Sequence, residues 1–245
     1  MEANATTNAP SPQVYARLGG MLYLFIIIAG ISSEFFFRGK LVVAGNAAAT
    51  AGNIQASALL WRMGVAAEYA SLICTIVLAM IYFFLLRPVH RNLNLLSTFF
   101  RLISITVQVV AVLQLGVALF YLDQSAASLK VFTPEQLNAM ANLSIRSHSY
   151  GYGISLLFLG CCFPVHGYLI RKSGFLPKAL GVLIQVAGLG YLVNGFALIL
   201  APFATKFIFP IFFLPVFIAE TSLSLWLLVK GVHVDKWKTR YAQAG

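Results

Sequence analysis

Apolar positions in this chain fall in long runs divided by short polar stretches. The runs cover roughly residues 18–37, 59–86, 95–122, 147–170, 178–200 and 207–229. Each reaches the ~18 residues that a helical bilayer crossing needs. None alternates with a period of two. In hydrocarbon every backbone amide must be satisfied within its own segment, so the runs predict helices and not barrel strands. The pattern therefore predicts an all-α fold: a polytopic membrane helix bundle of six transmembrane helices.

The polar stretches divide the chain further. Residues 1–14 are rich in Ala, Asn, Thr and Pro and predict a disordered segment. Residues 15–232 form the six-helix transmembrane domain, and 233–245 a polar cytoplasmic tail. The first run is longer than a signal-peptide core and lacks a cleavage signature, so it reads as a retained helix. Residues 39–56 are small and polar and predict a short surface segment. Thr133-Pro134-Glu135-Gln136 has the order of a capping box, with Pro at the first helical position. It predicts a short amphipathic surface helix leading into the fourth span. Pro164 predicts a kink in that span.

Glycine recurs at every seventh position through the fourth and fifth runs: Gly153, Gly160, Gly167, Gly174, Gly181, Gly188 and Gly195. Gly174 sits in the turn between the runs. Folding there sets Gly167 against Gly181, Gly160 against Gly188, and Gly153 against Gly195. A heptad repeat keeps each trio on one helix face, where two backbones can approach closely. Glycine is also common in membrane helices at large, so chance is the competing explanation.

Composition supports the membrane class. The chain is 60% hydrophobic and 10% charged, where a soluble domain carries about 25% charged residues. The net charge of +10 is not a nucleic-acid signature, because the basic residues gather at the ends of apolar runs. Ten of them (Arg17, Arg87, Arg91, Arg171, Lys172, Lys178, Lys230, Lys236, Lys238, Arg240) lie on the side of the termini, and six on the other. The positive-inside rule then puts both termini in the cytoplasm. Cys74, Cys161 and Cys162 lie within apolar runs and read as small packing residues. No phosphate loop, nucleophile elbow or zinc-protease sequence occurs, and no cofactor is expected.

Ionisable groups inside spans cost free energy and mark places to examine. At 1.5 Å of rise per residue, Glu220 lies roughly 15 Å and Arg101 roughly 10 Å above the inner boundary. They are candidates for a buried ion pair between the third and sixth spans. The same pair reads equally as a device that fixes helix register. A second set gathers near the outer boundary: Glu34, Arg62, Glu68, His148 and Asn194. These line a candidate outward-facing ligand pocket, or else snorkel and pair at the interface.

Several pieces, in order, resemble the DUF4386 family of uncharacterised bacterial membrane proteins. They include Arg17-Leu18-Gly19-Gly20, Glu34-Phe35-Phe36-Phe37-Arg38-Gly39, Trp61-Arg62-Met63-Gly64, Leu85-Leu86-Arg87-Pro88-Val89 and Leu176-Pro177-Lys178-Ala179-Leu180-Gly181. The similarity covers most of residues 15–232. The family often carries a histidine where this chain has Cys162, so no chemistry is carried over at that position. The resemblance implies an integral protein of the bacterial cytoplasmic (inner) membrane and supplies no activity. From the residues, the leading expectation is a non-enzymatic protein that binds or moves a small or lipidic ligand at the outer polar cluster. The alternatives are a membrane-embedded lipid-modifying enzyme and an accessory or assembly subunit of a membrane complex. Membrane lipids are the expected partners, with a membrane-protein partner or a second copy as further expectations and nucleic acid excluded.

Overall fold

The computed structural model describes residues 11–123 and 129–244. The described residues are helical almost throughout, with six helices long and apolar enough to cross a membrane. The expected disorder of residues 1–10 falls outside the described residues. Residues 12–14, expected to belong to that disordered segment, are instead helical. Ser11 caps α1 (Pro12–Ser32), its side chain accepting from the Gln13 N–H, with Pro12 at the first helical position.

The first span does not end where its apolar run ends. Beyond α1 the chain makes a π-helical turn over Ser33–Arg38 and closes with α2 (Gly39–Leu41). The Gly39 N–H reaches back five residues to the Glu34 carbonyl. A side chain at position 39 would come within 2.7 Å of that oxygen, so glycine is required by a close approach there. The surface segment contains α3 (Ala47–Ala56), capped by Asn46 and anchored through buried Thr50, Ala51 and Ile54.

The remaining spans are α4 (Ala58–Leu86), α5 (Arg91–Tyr121), α6 (Pro134–Ser173), α7 (Lys178–Leu200) and α8 (Thr205–Val229). The capping box at Thr133 and Gln136 forms as its spacing predicts. No separate surface helix follows it. α6 runs unbroken for 40 residues, about 60 Å, or about twice the hydrocarbon thickness. Its first turns carry polar residues. A helix that has left the membrane needs no apolar run to continue, only its backbone bonds and its cap.

Packing follows chain order. α1 packs on α4, α4 on α5, α5 on α6, α6 on α7, α7 on α8, and α8 returns to α1. The six spans thus form a closed ring. At the end bearing the termini, the ring is filled by a cluster that includes Leu78, Ile81, Leu85, Phe163, Ile170 and Leu223. At the far end, Trp61, Leu115, Ala118 and Ile145 fill a second cluster, and the Trp61 indole N–H donates to the Leu115 carbonyl at 3.0 Å.

The glycine seam forms in part. Gly167 and Gly181 meet so closely that a Cβ on either would strike the carbonyl of the other, and a Cβ on Gly160 would lie 3.1 Å from the Gly188 carbonyl. Gly153 and Gly195 do not meet: Gly153 faces Leu198 and Gly195 faces Leu157. A straight helix drifts about 20° per heptad, so a seven-residue repeat rotates off the seam and leucines fill the widening gap. Gly174 makes the turn between the two helices at φ 75°, the left-handed cap that glycine adopts without strain.

The polar tail is also ordered. α9 (Val234–Ala244) lies across the terminal end of the ring. Its Trp237 is buried, donates its indole N–H to the Leu85 carbonyl at 2.9 Å, and packs on Phe84 and Tyr241. The Arg240 guanidinium donates to the Lys172 carbonyl at 2.8 Å. Gln13, at the start of α1, donates to the Lys230 carbonyl and accepts from the Val232 N–H.

Candidate functional site

The ring is not packed solid. Between the two clusters lies a cavity of about 120 Å³, and all six spans contribute to its wall. Its polar wall runs from Arg38 and Glu68 at one end to Arg101 and Glu220 at the other. Of the residues singled out in the sequence, Glu68, Arg101 and Glu220 line this one space.

At the first end, Arg38 is the hub. Its guanidinium bonds one oxygen of each of two carboxylates: Nη1 donates to Glu68 Oε1, while Nη2 and Nε donate to Glu34 Oε2 at 2.8 and 3.2 Å. His148 Nε2 lies 3.3 Å from Glu68 Oε2. With that carboxylate held by Arg38, the imidazole is placed as the donor, which leaves its buried Nδ1 as an acceptor with no partner. Glu34 is largely exposed and Glu68 buried, so the chain Glu34–Arg38–Glu68–His148 leads from the surface to the interior.

The π-helical turn positions this hub. Glu34 and Arg38 keep the i, i+4 pairing expected of them. The wide turn sets Arg38 so that it also reaches α4. Two residues of the expected outer set stand apart. Arg62 is exposed on α4 and makes none of these contacts. It lies six residues from Glu68, about 9 Å along the axis and about 240° around it, so it faces away from the cluster. Asn194 sits on α7 outside the cavity wall, with its side-chain oxygen buried and unpartnered.

At the second end, Arg101 and Glu220 both line the cavity, but among the described residues they form no direct ion pair. The expected contact is replaced by two others. The Tyr191 hydroxyl donates to Glu220 Oε1 at 2.7 Å. The Arg101 guanidinium lies over the rings of Tyr82 and Phe163, at 5.3 and 5.7 Å from their centroids. Gln185, at a similar depth in the sequence, accepts from Arg171 and donates to the Pro164 carbonyl instead.

The cavity wall adds residues that sequence reasoning passed over. Tyr23, Ser71, Gln108 and Tyr152 line it between the charged ends. Tyrosines near membrane boundaries are common, and nothing in the sequence separates these from the others. Among the described residues, no three His, Cys, Asp or Glu side chains gather closely enough to hold a metal ion. What the arrangement offers chemically is charge of both signs, hydroxyls and an amide around a space inside the membrane.

A family description, "Domain of unknown function (DUF4386)", matches residues 18–231. A protein of Archaeoglobus fulgidus described as an uncharacterized protein is 26% identical over 166 residues, covering 65% of this chain and 78% of that protein. That organism is an archaeon, whereas the resemblance read from the sequence implied a bacterial family. No solved structure matches. With nearly all of its six-span ring inside the matched range, this chain belongs to the DUF4386 family.

Proposed function

We propose that the protein binds a small polar ligand in the central cavity and exchanges it at the end where Arg38, Glu68 and His148 lie. The observation that carries this reading is the charged wall. A bundle held only by packing would fill this space with apolar side chains, because charges within a membrane are expensive. A void lined by polar groups holds water or a ligand. The contact between Glu68 and His148 also favours a second reading, proton transfer to a lipid head group bound at that end. An accessory subunit docking through its glycine stripes would leave them exposed, and here these glycines are buried on α6 and α7.

Native mass spectrometry of the purified chain tests the binding reading. The wild type is expected to carry a non-covalent adduct lighter than a phospholipid, and a Ser71→Phe variant that fills the cavity is expected to lose it. Phospholipid adducts alone, released identically from both proteins, would sink the proposal.

Orientation belongs to the same proposal. The excess of Lys and Arg at the terminal end favours a cytoplasmic location for both termini, so that the Arg38 end opens outward. A fluorescent protein fused after α9 should then mature and glow, while alkaline phosphatase inserted between α5 and α6 should be active. The reverse pattern would invert the site.

A further inference from the structure

We infer that the inner end of the cavity is a site for a small zwitterion of the amino-acid type, its carboxylate held by Arg101 and its ammonium by Glu220. The inference rests on the reading of the cavity as a binding site.

Arg101 is 5% exposed. Rings of Tyr82 and Phe163 lie against its guanidinium, and the Cys162 thiol is beside it. A guanidinium carries its five N–H donors in its own plane, so rings against it satisfy none of them. The thiol sulfur accepts from the guanidinium, but it is a weak acceptor and also contacts the Ser97 hydroxyl at 3.2 Å, so most of the donors are left over. Among the described residues no carboxylate pairs with Arg101. The space it borders is the cavity.

Glu220 borders the same space. The hydroxyls of Tyr191 and Tyr23 take two of its acceptor positions, and a carboxylate has about four. A buried guanidinium and a half-buried carboxylate of opposite charge therefore face one void without an ion pair between them. An anion placed there would relieve Arg101 and crowd Glu220. A cation would do the reverse. A molecule bearing both charges relieves both, with charge-assisted hydrogen bonds at each end.

The rest of the wall suits such a ligand. Gln108 borders the cavity and, among the described residues, has no side-chain hydrogen-bond partner. Ile105, Leu156 and Leu159 offer an apolar strip for a short side chain. The volume is about 120 Å³. A cavity of about 150 Å³ takes a molecule the size of benzene, so this space suits one of about five or six heavy atoms.

The test uses the full chain in lipid nanodiscs, titrated with alanine and with its two halves, acetate and methylamine, by calorimetry. Alanine is expected to bind at least about tenfold more tightly than either half, because both charged contacts form at once. Arg101→Gln and Glu220→Gln should each weaken alanine by about tenfold or more. The comparison of alanine with its halves needs only the wild type, so it holds even where a variant fails to fold. Acetate binding as tightly as alanine, or no saturable alanine binding, overturns the inference. A neutral or purely cationic molecule found in the cavity also overturns it, while leaving the reading of the cavity as a binding site intact.

Discussion

Gly167→Leu and Gly20→Leu proteins should each lose about 3 kcal/mol or more of stability, the upper end of the overpacking range. The reason is what the added atoms would strike. A Cβ at Gly167 would collide with the Gly181 carbonyl and with Gln185, and one at Gly20 would collide with the backbone of Ser224 and Leu228. Backbone in a closed ring cannot step aside as a side-chain tip can. Gly153 gives the contrast within the same stripe, since its nearest neighbour is the methyl end of Leu198. Gly153→Ala should be mild. Gly116 has nothing within 4 Å, so Gly116→Ala should gain up to about 1 kcal/mol from helix propensity. Thermal melts in one detergent check all four. If Gly167→Leu melts with the wild type, α6 and α7 are not in contact through their glycines.

The second large effect is expected at Glu68. Breaking a buried charge pair by removing one partner costs about 3–5 kcal/mol, because the survivor is left without compensation. Glu68→Leu would strip both Arg38 and His148 of their buried acceptor. Arg38 would keep Glu34, and water near the membrane boundary softens the penalty, so a loss near about 3 kcal/mol is expected. Glu34→Leu should cost no more than about 1 kcal/mol, since Glu34 is largely exposed. The double change Glu68→Leu with Arg38→Leu should recover part of the Glu68 loss, because the two charges then leave together. Equal losses at Glu34 and Glu68, or strict additivity in the double variant, would show that Arg38 does not act as the hub.

The two sites show what was legible in the sequence. Order along the helix axes was, in part: the sequence set Glu68 and His148 toward one end of the spans and Arg101 and Glu220 deeper, and Glu68, Arg101 and Glu220 line one cavity, with His148 against Glu68. Azimuth was not. Arg62 is on a different face of α4 from Glu68, and Arg101 and Glu220 share a wall without sharing a contact. A helix's rotation is set by its neighbours, and apolar residues facing lipid look like those facing the core. The link from Arg38 to α4 was hidden for another reason. A π-turn leaves no mark in composition, and its trace here is the glycine at position 39. The spans themselves were legible because hydrophobic length is imposed by the bilayer. The boundary of α6 was not, because its outer turns are held by backbone bonds and a cap.

The ring has a consequence for the order in which the protein is made. Gly20 on α1 seats against Ser224 and Leu228 on α8, so the first span's tightest contact is with the last. α4 to α7 can pair with their predecessors as they emerge. α1 must wait, with one flank uncovered, until synthesis has passed nearly the whole described chain. Contacts so distant in sequence are slow to form, and a flank left open invites pairing with the wrong neighbour. Only when α8 arrives does the seam close, and only then does the cavity have its sixth wall.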